Sequence, residues 1–171
     1  MRHTPVALPK GICYGWLDAP LADDYPRYAQ QIISGLSEVK LDKIYSSPSQ
    51  RCVTLAEEIA QMRALTVEKD ERLRELHFGA WEGLSWEAIY ERESGRRWFA
   101  DYWHAQTEGG ESHDDLLHRV SSFEAERDRR LETLLVTHAG VIRAYRILLG
   151  HLEPDEALAQ SVNFGEIYKY E

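Results

Sequence analysis

The position of Arg51 favours binding of an anion. The residue stands in the first turn of a predicted helix, where the positive end of the helix dipole disfavours a cation. A bound anion would offset that cost, and the exposed amides of a helix start combine with a guanidinium fork to hold phosphate well. The alternative is a solvated arginine that reaches for Glu57 or Glu58.

Five further residues carry weaker signals when each is taken alone. His138 lies between an apolar strand and a helix that starts with glycine, which suits a rigid imidazole facing a cleft and equally suits a hydrogen-bonded core histidine. Arg2 and His3 would by themselves be a mobile tail. Glu75 would be an ordinary loop carboxylate, and Arg143 is interpreted as a structural or surface residue.

Hydrophobic periodicity predicts the elements that must position these residues. It predicts helices over 25–36, from Ser47-Pro48 onward, over 85–90, from 113 to near 130 and over 141–149, and strands over 43–46, 133–137 and 167–170. Their alternation predicts a three-layer α/β/α sandwich with a mainly parallel central sheet, in one domain over residues 1–171. Ligand sites in such folds lie beyond the carboxyl ends of the strands, which selects residues 47–51 and His138.

Composition narrows the classes of partner. The formal net charge is -9 with scattered acidic residues, so nucleic acid is not expected as a partner. No apolar run is long enough for a membrane span and no signal peptide is recognised, so we expect a cytoplasmic protein without a membrane partner. The two cysteines, Cys13 and Cys52, have neither metal-ligand nor disulfide spacing and are expected to be free thiols.

The same residues, taken in order, resemble the histidine phosphatase superfamily, which includes the cofactor-dependent phosphoglycerate mutases. The resemblance runs from residue 2 to 143 and rests on five motifs: Arg2-His3-Thr4; Ser46-Ser47-Pro48-Ser49-Gln50-Arg51 with Thr54-Leu55-Ala56; Leu73 to Gly83 with Glu75; Gly110-Glu111-Ser112 with Arg119; and Val136-Thr137-His138-Ala139-Gly140-Val141-Ile142-Arg143.

A short loop narrows the resemblance. Gly11-Ile12-Cys13-Tyr14-Gly15 with Asp18 is similar to the loop of α-ribazole phosphatases, which act in assembling the lower ligand of cobalamin. Thr4 in place of the more usual glycine and the small size agree with that subfamily. The resemblance therefore implies a substrate loop that includes Thr4, Cys13, Tyr14 and Gly15.

The resemblance implies a phosphatase that works through phosphohistidine. A neutral His3 would attack phosphorus, while Arg2, Arg51 and His138 would hold the non-bridging oxygens. Glu75 would protonate the leaving group and then activate water. No cofactor and no metal are implied, and the remaining histidines show no ligand spacing. The expected partner is a small phosphorylated metabolite. A homodimer is possible, and the sequence does not decide the oligomeric state.

Two features depart from the family pattern. Family members carry an apolar strand before the Arg-His pair, whereas only Met1 precedes Arg2 here. The charged run 124–132 also enters the 133 strand without Gly, Pro, Asn or Ser to turn the chain. Either the chain starts upstream of Met1 or His3 is anchored by unusual means, and we also expect a segment to be missing before Thr133.

Three alternative functions stay open from the sequence. The first two alternatives are a phosphoglycerate mutase and a general sugar-phosphate phosphatase, and the third is a non-catalytic module that binds a phosphate ligand. The presence of Glu75 disfavours the non-catalytic module, because binding alone needs no acid.

An aromatic cluster follows the acid loop, Leu73 to Gly83, in the sequence. Trp98, Phe99, Tyr102 and Trp103 are predicted to be core, with the alternative that one ring stacks on a flat base.

Overall fold

The structure, a computed structural model, describes residues 1–170. Its helices and strands are, in chain order, α1 (Tyr25–Gly35), β1 (Lys43–Ser46), α2 (Gln50–Arg63), β2 (Val67–Lys69), 3-10 turns over Glu71–Leu73 and Gly79–Trp81, α3 (Trp86–Glu91), α4 (Glu93–Ala100), α5 (His113–Glu126), β3 (Thr133–Val136), α6 (Ala139–Leu148) and α7 (Pro154–Ala159).

The three strands form a parallel sheet with β1 in the centre, in the order β2-β1-β3. Ile44 pairs with Val67 on one side and with Leu134 on the other. Ser46 and Val136, the last residues of β1 and β3, are direct partners. The carboxyl ends of these two strands are therefore level, and the segments that follow them start side by side.

Helices cover both faces of this sheet, as the strand-helix alternation predicts. Ile44, Leu134 and Val136 pack into a cluster with the buried faces of α1 and α2. Tyr45 and Leu135 lie on the opposite face, against a second cluster formed mainly by α3, α4, α5 and α6. Side chains alternate along a strand, so neighbouring strand residues reach different layers. The three-layer α/β/α sandwich is confirmed.

The first residues of the chain join the sheet edge by a short bridge. Arg2 forms a parallel bridge with Thr137, just beyond the end of β3. The amide of His3 donates to the Thr137 carbonyl at 2.9 Å, and the Thr137 amide donates to the Met1 carbonyl at 3.0 Å. This bridge stands where the family pattern has a strand, and it places His3 at the carboxyl end of β3. A separate cavity of about 790 Å³ lies along β3 and is lined by Met1, Thr133 and Tyr145, and neither His3 nor His138 lines it.

Two predicted elements were wrong in part. α2 begins at Gln50 with Ser49 as N-cap, not at Ser47-Pro48, because the Ser47 amide still pairs with the Val136 carbonyl at 3.0 Å. No strand forms over 167–170 within the described residues. The Tyr170 hydroxyl instead donates to the Ile142 carbonyl on α6 at 3.4 Å, so this segment packs on a helix.

The other predicted elements are present, and two further ones were missed. The helices over 25–36, 85–90, 113–130 and 141–149 correspond to α1, α3, α5 and α6, with ends shifted by up to four residues. β2 and α7 were not predicted, and α4 was indicated only in its last turn, by the helical spacing of the aromatic residues from 98 to 103. Within residues 1–170, no helix has both the length and the apolar character that a bilayer crossing requires.

Candidate active site

His3 is buried and is fixed in one tautomer. Its side chain is 1% exposed, and Nδ1 lies 2.6 Å from the carbonyl oxygen of Thr4. A carbonyl only accepts, so Nδ1 carries the proton and Nε2 keeps a free lone pair. Burial, reinforced by the Arg51 cation, lowers the pKa of His3 well below 6.5. His3 is therefore a neutral imidazole with a nucleophilic nitrogen near neutral pH.

His138 lies beside His3 at the N-cap of α6. The two ring centroids are 5.2 Å apart, and His138 is fully buried. Arg51 Nη2 lies 3.3 Å from Nδ1, and Ser47 Oγ lies 2.8 Å from Nε2. Since a guanidinium only donates, Nδ1 accepts and Nε2 donates to Ser47. Burial, then the Arg51 cation, lowers the pKa of His138 well below 6.5.

Arg51 reaches the site from the first turn of α2, as predicted. Its side chain is fully buried, and the guanidinium donates to the carbonyls of Leu17 at 2.9 Å and of Gly15 at 2.6 Å. It does not contact Glu57 or Glu58, so the solvated alternative is wrong. Tyr14 lies over the guanidinium at 5.1 Å.

Arg2 approaches from the sheet edge. Its guanidinium donates to the Val162 carbonyl at 2.6 Å and to the Tyr14 hydroxyl at 3.4 Å, and it lies 3.7 Å from the centroid of the Phe164 ring. The backbone of Arg2 is tied to the C-terminal segment as well, because its carbonyl accepts from the Gly165 amide at 3.1 Å. The mobile-tail alternative is therefore wrong.

The same residues carry buried donors that no protein atom satisfies. Within residues 1–170, five buried polar side-chain atoms have no hydrogen-bond partner, and three of them are Arg2 Nε, Thr4 Oγ1 and Arg51 Nε. An unsatisfied buried polar group costs about 1–3 kcal/mol. An anion with several acceptor oxygens, placed between these groups, would satisfy such donors. The concentration of unmet donors around two neutral histidines fits a phosphate group.

Glu75 is held against the start of α6. Its Oε1 accepts from the amides of Gly140 at 3.0 Å and of Leu76 at 2.9 Å. Gly140 is required for this approach, because a Cβ there would lie 2.2 Å from Oε1. Gly140 is two residues after His138, so the carboxyl group is bonded to the same turn into α6 that carries His138. The position suits an acid for the leaving group.

The predicted substrate loop is at the site, although not all of its residues face it. Tyr14 lies 6.5 Å from His3, centroid to centroid, and contacts Arg2. Gly15 has φ +30 and leaves no space for a Cβ beside Glu82 and the Leu76 carbonyl. Cys13 is buried in the second core cluster and pairs through its backbone with Leu84 and Gly83, so its side chain anchors the loop.

Three site residues were not found from the sequence. Phe164 lies 5.5 Å from His3 and packs on Arg2, in a C-terminal segment without regular structure. Trp16 donates from Nε1 to the Glu75 carbonyl at 2.7 Å and stacks on His77 at 4.3 Å. Cys52 Sγ lies 3.5 Å from His138 Nε2. A lone aromatic in a loop gives no periodic pattern that could have identified it.

Of the four aromatic residues predicted to be core, only Trp98 is buried. Trp98 is 7% exposed and packs on Trp81 and Trp86, whereas Phe99 is 40% exposed. Tyr102 and Trp103 are half-buried around His113. None of these rings has a ring contact with His3 or His138, so the stacking alternative gains no support from the geometry.

Arg143 is half-buried on α6, one turn after Gly140. Its Nε has no partner among residues 1–170, and burial lowers the pKa of its guanidinium. Also within these residues, no group of three His, Cys, Asp or Glu side chains is arranged to hold a metal ion. Independence from metals remains a prediction for solution experiments.

Comparison with known proteins identifies the family. The model of the histidine phosphatase superfamily (branch 1) matches residues 1–171. Phosphoserine phosphatase 1 of Hydrogenobacter thermophilus is 35% identical over 148 residues, which cover 83% of this chain and 70% of that protein. The chain therefore belongs to the histidine phosphatase superfamily.

Solved structures agree with this membership. A candidate α-ribazole-5′-phosphate phosphatase from Escherichia coli superposes with a TM-score of 0.87 at 25% identity, over 96% of this chain and 84% of that one. The α-ribazole phosphatase from Shigella flexneri gives 0.86 at 25% identity, over 96% and 85%. The protein is an enzyme that acts as a phosphatase.

Proposed function

We propose that the chain hydrolyses phosphomonoesters through a phosphohistidine at His3, and that its substrate is α-ribazole 5′-phosphate in the assembly of the cobalamin nucleotide loop. The observation that carries the chemistry is a neutral, buried His3 with a free Nε2, set among buried donors of Arg2, Thr4 and Arg51 that lack partners.

In the first step, the lone pair of His3 Nε2 forms a bond to phosphorus as the bond from phosphorus to the ester oxygen breaks. Arg2 and Arg51 donate to the non-bridging oxygens and stabilise their charge. The Nε2–H of His138, which donates to Ser47 Oγ in this structure, donates instead to the third oxygen when the phosphate binds. Glu75 gives its proton to the departing oxygen, so the alcohol leaves neutral. The bond from Nδ1 to Thr4 keeps the ring oriented while Nε2 becomes phosphorylated.

In the second step, water attacks phosphorus and the bond to Nε2 breaks. Glu75, now a carboxylate, takes the proton from that water, which returns the acid to its starting state. Inorganic phosphate leaves, and His3 regains its lone pair. Each group therefore ends the cycle in the protonation state in which it began.

The substrate proposal rests on the loop from Gly11 to Asp18. The loop contributes Tyr14 to the wall of the phosphate site, and its carbonyls at Gly15 and Leu17 hold Arg51. The resemblance of this loop to α-ribazole phosphatases and the superposition on the Shigella flexneri structure both support that leaving group.

A second substrate, phosphoserine, is favoured by a separate observation. The relative from Hydrogenobacter thermophilus with 35% identity is named for that activity. Three cationic side chains, Arg2, Arg51 and Arg143, carry a buried Nε without a partner among residues 1–170. Arg2 and Arg51 are assigned to the phosphate, so Arg143 is left to bind a carboxylate on the leaving group, such as that of serine.

A substrate panel tests these proposals. The panel holds α-ribazole 5′-phosphate, phosphoserine, 3-phosphoglycerate and p-nitrophenyl phosphate, with release of inorganic phosphate as the measurement. We expect the highest kcat/KM for the ribazole ester. A higher value for phosphoserine would replace the substrate, and interconversion of phosphoglycerates would indicate a mutase. Inertness towards all four esters, with phosphate still bound, would favour the non-catalytic module.

A further inference from the structure

Arg119 on α5 binds the backbone around Glu75. Its Nη1 donates to the carbonyls of Arg72 and Arg74, both at 2.7 Å, and its Nη2 donates to the carbonyl of Glu75 itself at 2.8 Å. The same guanidinium forms a bidentate pair with Glu111, at 2.9 Å from Nε to Oε1 and 2.9 Å from Nη2 to Oε2.

These contacts use the whole hydrogen-bonding capacity of the side chain. A guanidinium has five N–H donors, and Arg119 makes five hydrogen bonds to protein atoms. Arg2 and Arg51, in contrast, each keep a buried Nε without a partner among residues 1–170. Arg119 therefore has no donor left for a phosphate oxygen, and its role must be exerted through the loop that it binds.

Glu111 binds the backbone of the same loop two residues after Glu75, at His77. Its Oε2 accepts from the amide of His77 at 3.0 Å, and its own amide donates to the His77 carbonyl at 2.9 Å. The pair is thus bonded to the backbone at 72, 74, 75 and 77. The side chains of Arg119 and Glu111 are only 15% and 20% exposed, so solvent competes weakly for these bonds.

We infer that Arg119 and Glu111 are a positioning pair that fixes the carboxyl group of Glu75 at the leaving-group oxygen. This inference rests on the acid role proposed for Glu75. The planar fork is essential to it, because a lysine has three donors on a point charge and cannot reach three carbonyls and both carboxylate oxygens together. The pair orients the acid and does not itself contact the phosphate.

The test compares two leaving groups in Arg119→Lys and Glu111→Gln. An alkyl phosphate, α-ribazole 5′-phosphate or phosphoserine, whichever the wild type turns over faster, loses a basic alkoxide that needs a proton. p-Nitrophenyl phosphate loses a phenolate that does not. We expect the alkyl rate to fall by about 10- to 100-fold, as for a misplaced catalytic group, while the nitrophenol burst changes by less than about threefold.

Arg127→Lys is the matched control. Arg127 also makes a bidentate pair with a glutamate, Glu124, at the end of α5, and these side chains are 17% and 4% exposed. That pair has no contact with the acid loop among its hydrogen bonds. Its loss should lower the urea midpoint to a similar degree and leave the ratio of alkyl to aryl rates unchanged.

The double variant Arg119→Lys/Glu75→Gln decides whether the pair acts through Glu75. If it does, the double variant should be no slower on the alkyl phosphate than Glu75→Gln alone. Equal losses on both esters, or losses that multiply in the double variant, would overturn the inference. If Arg119→Lys does not fold, Glu111→Gln, which keeps the shape of the side chain, gives the same comparison.

Failure of the proposed function gives a different result. In that case Glu75→Gln itself would show no dependence on the leaving group. If Glu75→Gln shows that dependence and the Arg119 and Glu111 variants do not, the acid role stands and the positioning pair is wrong.

Discussion

At the scale of single residues, burial sets the protonation of the two site histidines. His3 is 1% exposed and His138 is fully buried, in a pocket that also holds the Arg51 guanidinium. Both the loss of solvation and the neighbouring cation disfavour a second positive charge. The Thr4 carbonyl and the Arg51 guanidinium then determine which nitrogen of each ring carries the proton, so the chemistry depends on contacts that a motif does not reveal.

This protonation predicts a loss of stability in acid. The folded pKa values of His3 and His138 lie well below the unfolded value of 6.5. As pH falls through 6.5, the unfolded chain binds protons that the folded chain does not, so the free energy of unfolding decreases. The slope is at most about 1.4 kcal/mol per pH unit for each histidine.

Urea unfolding in phosphate-free buffer from pH 7.5 to 5 measures this slope. In His138→Gln the slope between pH 6.5 and 5 should become shallower than in the wild type. The same slope in both proteins would show that His138 is protonated in the fold, which contradicts the neutral pocket.

At the scale of elements, the turn into α6 places Glu75, the proposed acid. The Gly140 amide binds Glu75, and there is no space for a Cβ between them. Gly140→Ala should displace the carboxyl group and reproduce the effect of Glu75→Gln, a loss of about 10²- to 10⁴-fold on an alkyl phosphate with a nearly unchanged nitrophenol burst. A parallel loss on both esters would instead mean that the phosphate site has been distorted.

The second core cluster supports the loop that carries Glu75. Trp98 is 7% exposed and packs on Trp81 and Trp86, so Trp98→Ala should lower the free energy of unfolding by about 3–5 kcal/mol. Phe99→Ala, at a side chain that is 40% exposed, is the control and should cost much less. Denaturant unfolding gives both values, and equal losses would show that burial does not govern this face.

Sequence reasoning succeeded where a pattern is long and failed where a single side chain makes the structure. α1 and β3 follow from periodicity, and the level ends of β1 and β3 follow from the parallel sheet. The turn after α5 was missed because Asp128 makes it: its Oδ1 accepts from the Arg130 amide at 3.0 Å. α7 was missed although Pro154 and the capping glutamates that flank it mark its start.

Among the site residues, too, those that belong to a recognisable pattern were predicted and those without one were not. Arg51 and His138 were identified because they follow strands, where the fold places ligands. Arg2 and His3 were identified only through the family motif, since nothing local distinguishes them from a tail. Phe164 could not be identified, because its approach to His3 depends on the path of the C-terminal segment past Arg2.

At the scale of the whole molecule, an acidic protein concentrates cations at one edge of its sheet. The net charge is -9, yet Arg2 and Arg51 converge at the carboxyl ends of the strands. These two residues are far apart in the sequence. Local convergence of guanidinium groups favours an anion even where the overall charge does not. The sheet is what brings these distant residues to the two histidines.

The passage of phosphate through Nε2 of His3 is the step on which the proposed function depends. It is tested most directly by acid-free trapping of the protein with p-nitrophenyl phosphate in EDTA, followed by mass spectrometry of the peptide that contains residue 3. We expect one phosphoryl group on His3 that is labile to acid and stable to base, and no such label in His3→Ala. A label retained in His3→Ala, or a requirement for added Mg²⁺ or Zn²⁺, would contradict it.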